Sequence, residues 1–155
     1  MAIDVKEKAV ELVKRITDSM AIACEVTANQ TGEGDAQGVL VSIQTQEHSK
    51  LLIGKNGQNL QALEHVVRVA LARVQEGGRP VVIDVNEYRQ TKTAQLVESV
   101  KQAAGRVRDT GKPEALPPMT SYERRVVHTE LASWHDVATE SVGQDPQRRV
   151  VIKPL

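Results

Sequence analysis

Phenylalanine is absent from this sequence, and only Tyr88, Tyr122 and Trp134 are aromatic. A core must therefore be built from valine, leucine, isoleucine and alanine, and base-stacking platforms are scarce. Cysteine occurs once, in Ile22-Ala23-Cys24-Glu25-Val26, which excludes an internal disulfide, supplies no metal pair and fits a reducing, cytoplasmic setting. Cys24 itself reads as buried filler on an apolar strand. Long apolar runs are missing as well: charges interrupt Met1-Ala2-Ile3-Asp4-Val5-Lys6-Glu7, leaving neither a signal-peptide core nor a membrane span. Nor is there an excess of charge of either sign. Twenty Lys and Arg balance twenty Asp and Glu, which argues against a general polyanion binder that coats duplexes.

What is present belongs to a soluble globular protein, 40% hydrophobic and 26% charged. A chain of 155 residues forms one ordinary domain or two small ones. The balanced charge is unevenly spread. Residues 1–49 hold four Lys/Arg against eight Asp/Glu, residues 50–85 five against three, and residues 86–155 eleven against nine, so positive charge begins at Lys50.

Val5, Ala9, Leu12, Val13, Ile16 and Met20 recur at helical spacing and predict a first helix. Alternation over Ala21–Ala28 and over Gly38–Thr45 predicts two paired strands joined by a turn at Asn29–Asp35. A short helix over Glu47–Ile53 is interrupted by Gly54 and Gly57. A longer one follows with Leu60, Leu63, Val67, Ala70, Leu71 and Val74 on one face, ended by Gly77-Gly78. Val81–Val85 is a compact strand. Beyond it, Leu96, Val97, Val100 and Ala104 mark a helix from Tyr88 to about Val107, stopped by Gly111 and Pro113. Thr120 and Glu123 have capping-box spacing ahead of a helix running to Ser133. Val137, Thr139 and Ser141, a turn at Gly143-Gln144-Asp145-Pro146, and Arg149–Ile152 predict a closing hairpin. With Arg148 and Arg149 on one strand, only one faces each side of it.

Two glycines three apart between two helices let the backbone turn sharply and bring N–H groups against a phosphate. The positive end of the following helix dipole lies beside them, and Lys55 supplies charge at the tip. Alone, this spacing more often marks an ordinary helix-helix turn. Its surroundings give it meaning: Leu51-Leu52-Ile53 before it, an amphipathic helix after it, and the order helix, strand, strand, helix, helix, strand around it. Residues Lys50 to Arg73 resemble a KH domain of type II topology, a family that clamps about four unpaired nucleotides against this loop.

Further on, Arg124 and His128 share one helix face within Arg124-Arg125-Val126-Val127-His128. With Leu116-Pro117-Pro118-Met119 before them and Arg148-Arg149-Val150-Val151-Ile152-Lys153-Pro154 after them, they resemble an R-three-H domain, named for its Arg-x-x-x-His pair and known for binding single strands. The bland alternatives are a surface ion pair of Arg124 with Glu123 or Asp136, and a packing role for His128. Trp134 reads as an anchor of a small core.

A KH unit followed directly by an R-three-H unit is similar to the bacterial Jag family, also called SpoIIIJ-associated or KhpB proteins, across nearly the whole chain. The N-terminal domain that members often carry has no counterpart ahead of the first helix. The resemblance implies an α+β fold with a KH domain over residues 1–85. Residues 86–155 would form an R-three-H domain with a three-stranded sheet and two helices. It implies nucleic-acid contacts at Gly54, Lys55, Asn56 and Gly57 and at Arg124 and His128, with Lys50 and Arg125 as weaker additions. It implies no metal and no cofactor. The expected function is non-catalytic binding of single-stranded RNA, with single-stranded DNA the lesser alternative, by a cytoplasmic post-transcriptional regulator. A different reading is an interaction module that pairs with a small KH-domain protein. A nuclease lacks support, because no carboxylate cluster and no Walker loop is present.

Overall fold

In the computed structural model, which describes residues 4–34, 37–74 and 78–155, the opening apolar stripe folds as helix α1, Val5–Ser19. Asp4 caps it by accepting from the Lys6 amide at 2.9 Å. Ala9, Val13 and Thr17 are its buried positions, and Thr17 satisfies its hydroxyl by donating to the Val13 carbonyl at 3.1 Å. The chain divides after Tyr88 into two compact units.

In the first unit, strands β1 (Glu25–Thr31) and β2 (Gly38–Gln44) pair antiparallel, and β3 (Val81–Val85) joins β2 in parallel, giving the sheet order β1-β2-β3. Helices α2 (Ser49–Ile53) and α3 (Gln58–Ala72) lie between β2 and β3 in the chain. Val39, Val41 and Ile43 of β2 and Val81, Ile83 and Val85 of β3 alternate inward and are buried with Ala9, Val13, Leu60, Val67 and Leu71 of the helices. Each such valine, leucine or isoleucine side chain contributes roughly 1.5–3 kcal/mol through burial.

Edge strand β3 does not leave its amides bare. Glu64 reaches from α3 to accept from the Ile83 N–H at 3.0 Å, and Asp84 accepts from the Val85 N–H at 3.0 Å.

Several expected boundaries move. The first strand begins at Glu25, four residues later than its alternation predicts, because Ala21 and Ile22 are used to close α1: their amides donate to Asp18 and Thr17. It then runs on through Asn29–Thr31, assigned by sequence to the turn, because Val39 and Gly38 pair with Gln30 and Thr31. Cys24 is half-buried just before the strand rather than fully buried on it. The α3 face holds at Leu60, Val67 and Leu71, whereas Val74 is exposed beyond the helix end at Ala72. Gly77 and Asp35, expected in turns, lie outside the described residues.

The second unit is built on α4 (Tyr88–Thr110), α5 (Ser121–Leu131) and a three-stranded antiparallel sheet in the order β4-β6-β5. Its strands are β4 (Glu114–Ala115), β5 (Val137–Val142) and β6 (Arg149–Pro154). Val100, Ala103, Ala104 and Val107 of α4 meet Val127, Leu131, Val150 and Ile152 in its core, with Trp134 packed against it. Gly111 ends α4 with φ 66°, its amide donating to the Val107 carbonyl. The capping box at α5 is complete: Thr120 Oγ1 accepts from the Glu123 amide at 3.2 Å, and Glu123 accepts from the Thr120 amide at 2.8 Å. Such a cap contributes about 1 kcal/mol. Arg106 grips Glu114 by two hydrogen bonds of 3.1 and 2.7 Å, which hold that carboxyl below its ordinary range. The stability linked to it is present at neutral pH and is lost as pH falls through the lowered value.

Candidate nucleic-acid interface

The Gly54–Gly57 loop is made by three successive departures from helical backbone. Gly54 ends α2 at φ 71°, ψ −177°, and its amide donates to the Lys50 carbonyl at 2.9 Å. Lys55–Gly57 form a single 3-10 turn in which Asn56 takes φ 54°, ψ 27°. Gly57, at φ 77°, then leads into α3.

Glycine at position 54 is a steric requirement. A Cβ there would lie 2.5 Å from Asn59 Cγ, and Asn59 is held by donating to the Leu51 carbonyl at 2.8 Å, tying α3 to α2 across the loop.

Lys55 and Asn56 are exposed at the tip, whereas Gly57 is buried. No side chain caps the first turn of α3. The Gln58 amide donates back to the Lys55 carbonyl, so it is the amides after it in the first turn, together with the helix dipole, that face whatever approaches the loop, an arrangement that favours an anion. Lys50, on α2, is exposed one turn before Gly54.

In the second unit the geometry departs from the sequence expectation. Arg124 is not an open cation, since its side chain is only 8% exposed. Its Nη1 donates to the Met119 carbonyl at 2.7 Å and lies 3.5 Å from Asp145 Oδ1. Neither Glu123 nor Asp136, the partners weighed from sequence, is the one found. Glu123 is adjacent on the helix, where neighbours diverge, and is occupied by the cap and by Lys92 at 3.6 Å.

His128 is half-buried, with Nδ1 at 2.7 Å from Thr139 Oγ1 and Nε2 at 2.8 Å from Ser141 Oγ. Both ring nitrogens thus engage hydroxyls that alternate on β5. Arg125 is exposed and lies one turn from Tyr122, which is 63% exposed. Arg148 is exposed just before β6 rather than on it, and Arg149 is half-buried beside Gln147. The pair Arg124 and His128 is therefore brought together as an organiser of the β5–β6 turn and of the β5 surface, with Arg125 as its open neighbour.

Sequence reasoning missed Asn59, Tyr88, Thr139, Ser141 and Asp145. Thr139 and Ser141 carried a signal, being polar positions in the same alternation as buried Val137. Among the described residues, no three His, Cys, Asp or Glu gather as metal ligands, and no helix is long and apolar enough to cross a membrane.

A family model for the R-three-H domain matches residues 94–154. Proteins named RNA-binding protein KhpB are similar over more of the chain. That of Bacillus subtilis is 31% identical over 152 residues, covering 97% of this chain and 71% of the relative. That of Clostridium symbiosum is 30% identical over 156 residues, covering 95% and 65%. That of Lactiplantibacillus plantarum is 41% identical over 102 residues, covering 66% and 32%. The chain thus spans between about a third and under three quarters of these relatives' lengths.

Proposed function

Because the chain belongs to the KhpB family, whose relatives carry the name RNA-binding protein, we propose that it binds single-stranded RNA without catalysis, as a cytoplasmic post-transcriptional regulator. The first site is a type II KH unit over residues 1–85, gripping phosphate with Gly54, Lys55, Asn56 and Gly57 and aided by Lys50. The second is an R-three-H unit over residues 86–155, in which Arg125 meets the strand directly while Arg124 and His128 shape the surface beside it. The observation that carries the reading is the loop: an uncapped helix N-terminus, left-handed backbone and an exposed lysine at one point. The element order around it supports the KH assignment. Two modest sites on one chain reinforce each other through effective concentration.

The test is fluorescence anisotropy with a short mixed-sequence RNA, single-stranded and in duplex, across a salt series. Single-stranded RNA is expected to bind tighter. Lys55→Ala should reduce the log–log salt slope by about 0.7, one phosphate contact on a single strand. Arg125→Ala should reduce it similarly. Equal affinity for the duplex, or a slope unmoved by either change, would sink the proposal.

A second reading is favoured by one surface. Met20, Leu51, Val66 and Val69 are each about half exposed, and Ile16, Met20, Leu51, Leu63 and Val66 line an apolar groove of about 330 Å³. Val66 and Val69 share a stripe of α3, so this face suits pairing with another KH-domain protein, with RNA secondary. Light scattering with such a partner discriminates the two: assembly abolished by Val66→Asp and indifferent to RNA and to Lys55→Ala favours the pairing module.

A further inference from the structure

Tyr88 closes the connection from β3 into α4, and that connection is unusually constrained. Asn86 and Glu87 both take left-handed backbone, φ 49° and 57°. A non-glycine residue is strained there and persists only when its surroundings hold it. Asn86 is so held. Its Oδ1 accepts from the Thr45 amide at 2.9 Å, its Nδ2 donates to the Thr45 carbonyl at 2.7 Å, and its own amide donates to the Ile43 carbonyl at 2.9 Å. Thr45 is itself buried and donates from Oγ1 to the Ala23 carbonyl at 3.0 Å. The residue two before Tyr88 is thus bolted to the end of β2 at three points.

From that anchorage the Tyr88 ring lies on Gly57. A Cβ at Gly57 would meet Cε1 at 3.2 Å, Oη at 3.5 Å and Cζ at 3.8 Å. The ring fills the space a side chain would take, and Gly57 is buried while Lys55 and Asn56 stay exposed.

We propose that Tyr88 is the positioning residue of the Gly54–Gly57 loop. Its ring, fixed to the sheet through Asn86, is the surface on which Gly57 seats, and this seating sets the direction of the first α3 amides and of Lys55. A loop held in its binding shape spends less ordering entropy when RNA arrives. The consequence for RNA rests on the reading of this loop as a phosphate grip, whereas the seating is a property of the free chain.

The experiment measures both in the full chain. Amide exchange at Gly54 and Gly57 is followed by NMR for Tyr88→Phe, Tyr88→Leu and Tyr88→Ala, and affinity for a fluorescein-labelled single-stranded RNA by anisotropy. Exchange at Val41 reports whether the core is intact, and the leucine variant keeps apolar bulk should alanine fail to fold. Alanine and leucine should speed exchange of the two loop amides by about tenfold and weaken RNA binding by about tenfold. Phenylalanine should leave both within about twofold, because the ring is what packs. Unchanged loop exchange in the leucine and alanine variants overturns the proposal. So does a phenylalanine variant as impaired as alanine, which would move the role from ring to hydroxyl. Faster loop exchange with undiminished RNA affinity upholds the seating and overturns the loop as the RNA contact.

Discussion

Gly54→Ala is expected to lower affinity for single-stranded RNA by about thirtyfold or more while the first unit stays folded. Gly54 sits at φ 71°, ψ −177°, a region essentially reserved for glycine, where another residue carries roughly 1–3 kcal/mol of strain. The new methyl would also overlap Asn59, 2.5 Å away at Cγ, and expel it from its bond to the Leu51 carbonyl, losing about 1 kcal/mol more. The loop relaxes to escape this, and binding must then restore its shape. Gly105→Ala is the matched control, in the α4 interior with open space around its Cβ position. It should leave binding unchanged and stabilise by about 0.5–1 kcal/mol through helix propensity. Anisotropy with thermal melting of both variants reads this out, and full RNA affinity in Gly54→Ala would remove the loop from the binding site.

The second large effect is one of stability. Arg124→Ala should destabilise the second unit by about 2–3 kcal/mol, because it strands the Met119 carbonyl, bonded at 2.7 Å, and opens a hole beneath α5. Asp145→Ala should cost only about 0–1 kcal/mol, its carboxylate being 72% exposed and screened by water. Urea unfolding followed through Trp134, which packs on this unit's core, measures both. If Arg124→Ala left stability intact and reduced only RNA affinity, the guanidinium would be a direct contact and its positioning role would be wrong.

Where one element's own pattern decided its structure, the sequence was readable. The α1 and α3 stripes, the Val81–Val85 strand and the Thr120–Glu123 cap all follow from periodicity or from local side chain to backbone bonding. The two glycines of the loop were legible for the same reason, since both take positive φ, which glycine adopts without steric cost. What stayed hidden depends on partners distant in the chain. β1 extends into polar Asn29–Thr31 because β2 offers backbone bonds there. Strand β4, two residues long, has too short a run to show any alternation. Spacing alone put Arg124 and His128 on one face correctly. It could not show that the arginine is buried against Met119 and Asp145, the latter 21 residues away, or that the histidine is engaged by two hydroxyls of a later strand. Tyr88 was one of three aromatics and was visible as such, yet its seat on Gly57 is a contact across 31 positions that no local pattern encodes.

The two carboxylates that engage β3 amides, Glu64 from α3 and Asp84 from the strand itself, bear on how this protein behaves among copies of itself. Val81-Val82-Ile83-Asp84-Val85 is β-branched at four of five positions and lies at a sheet edge, the composition from which intermolecular stacking starts. Glu64 and Asp84 occupy the Ile83 and Val85 amides that an incoming strand would need. A second chain must displace these two charged groups before it can bond the Ile83 and Val85 amides. The pair therefore acts as a gatekeeper against fibrous self-association, a safeguard useful to a protein with almost no net charge to keep its copies apart.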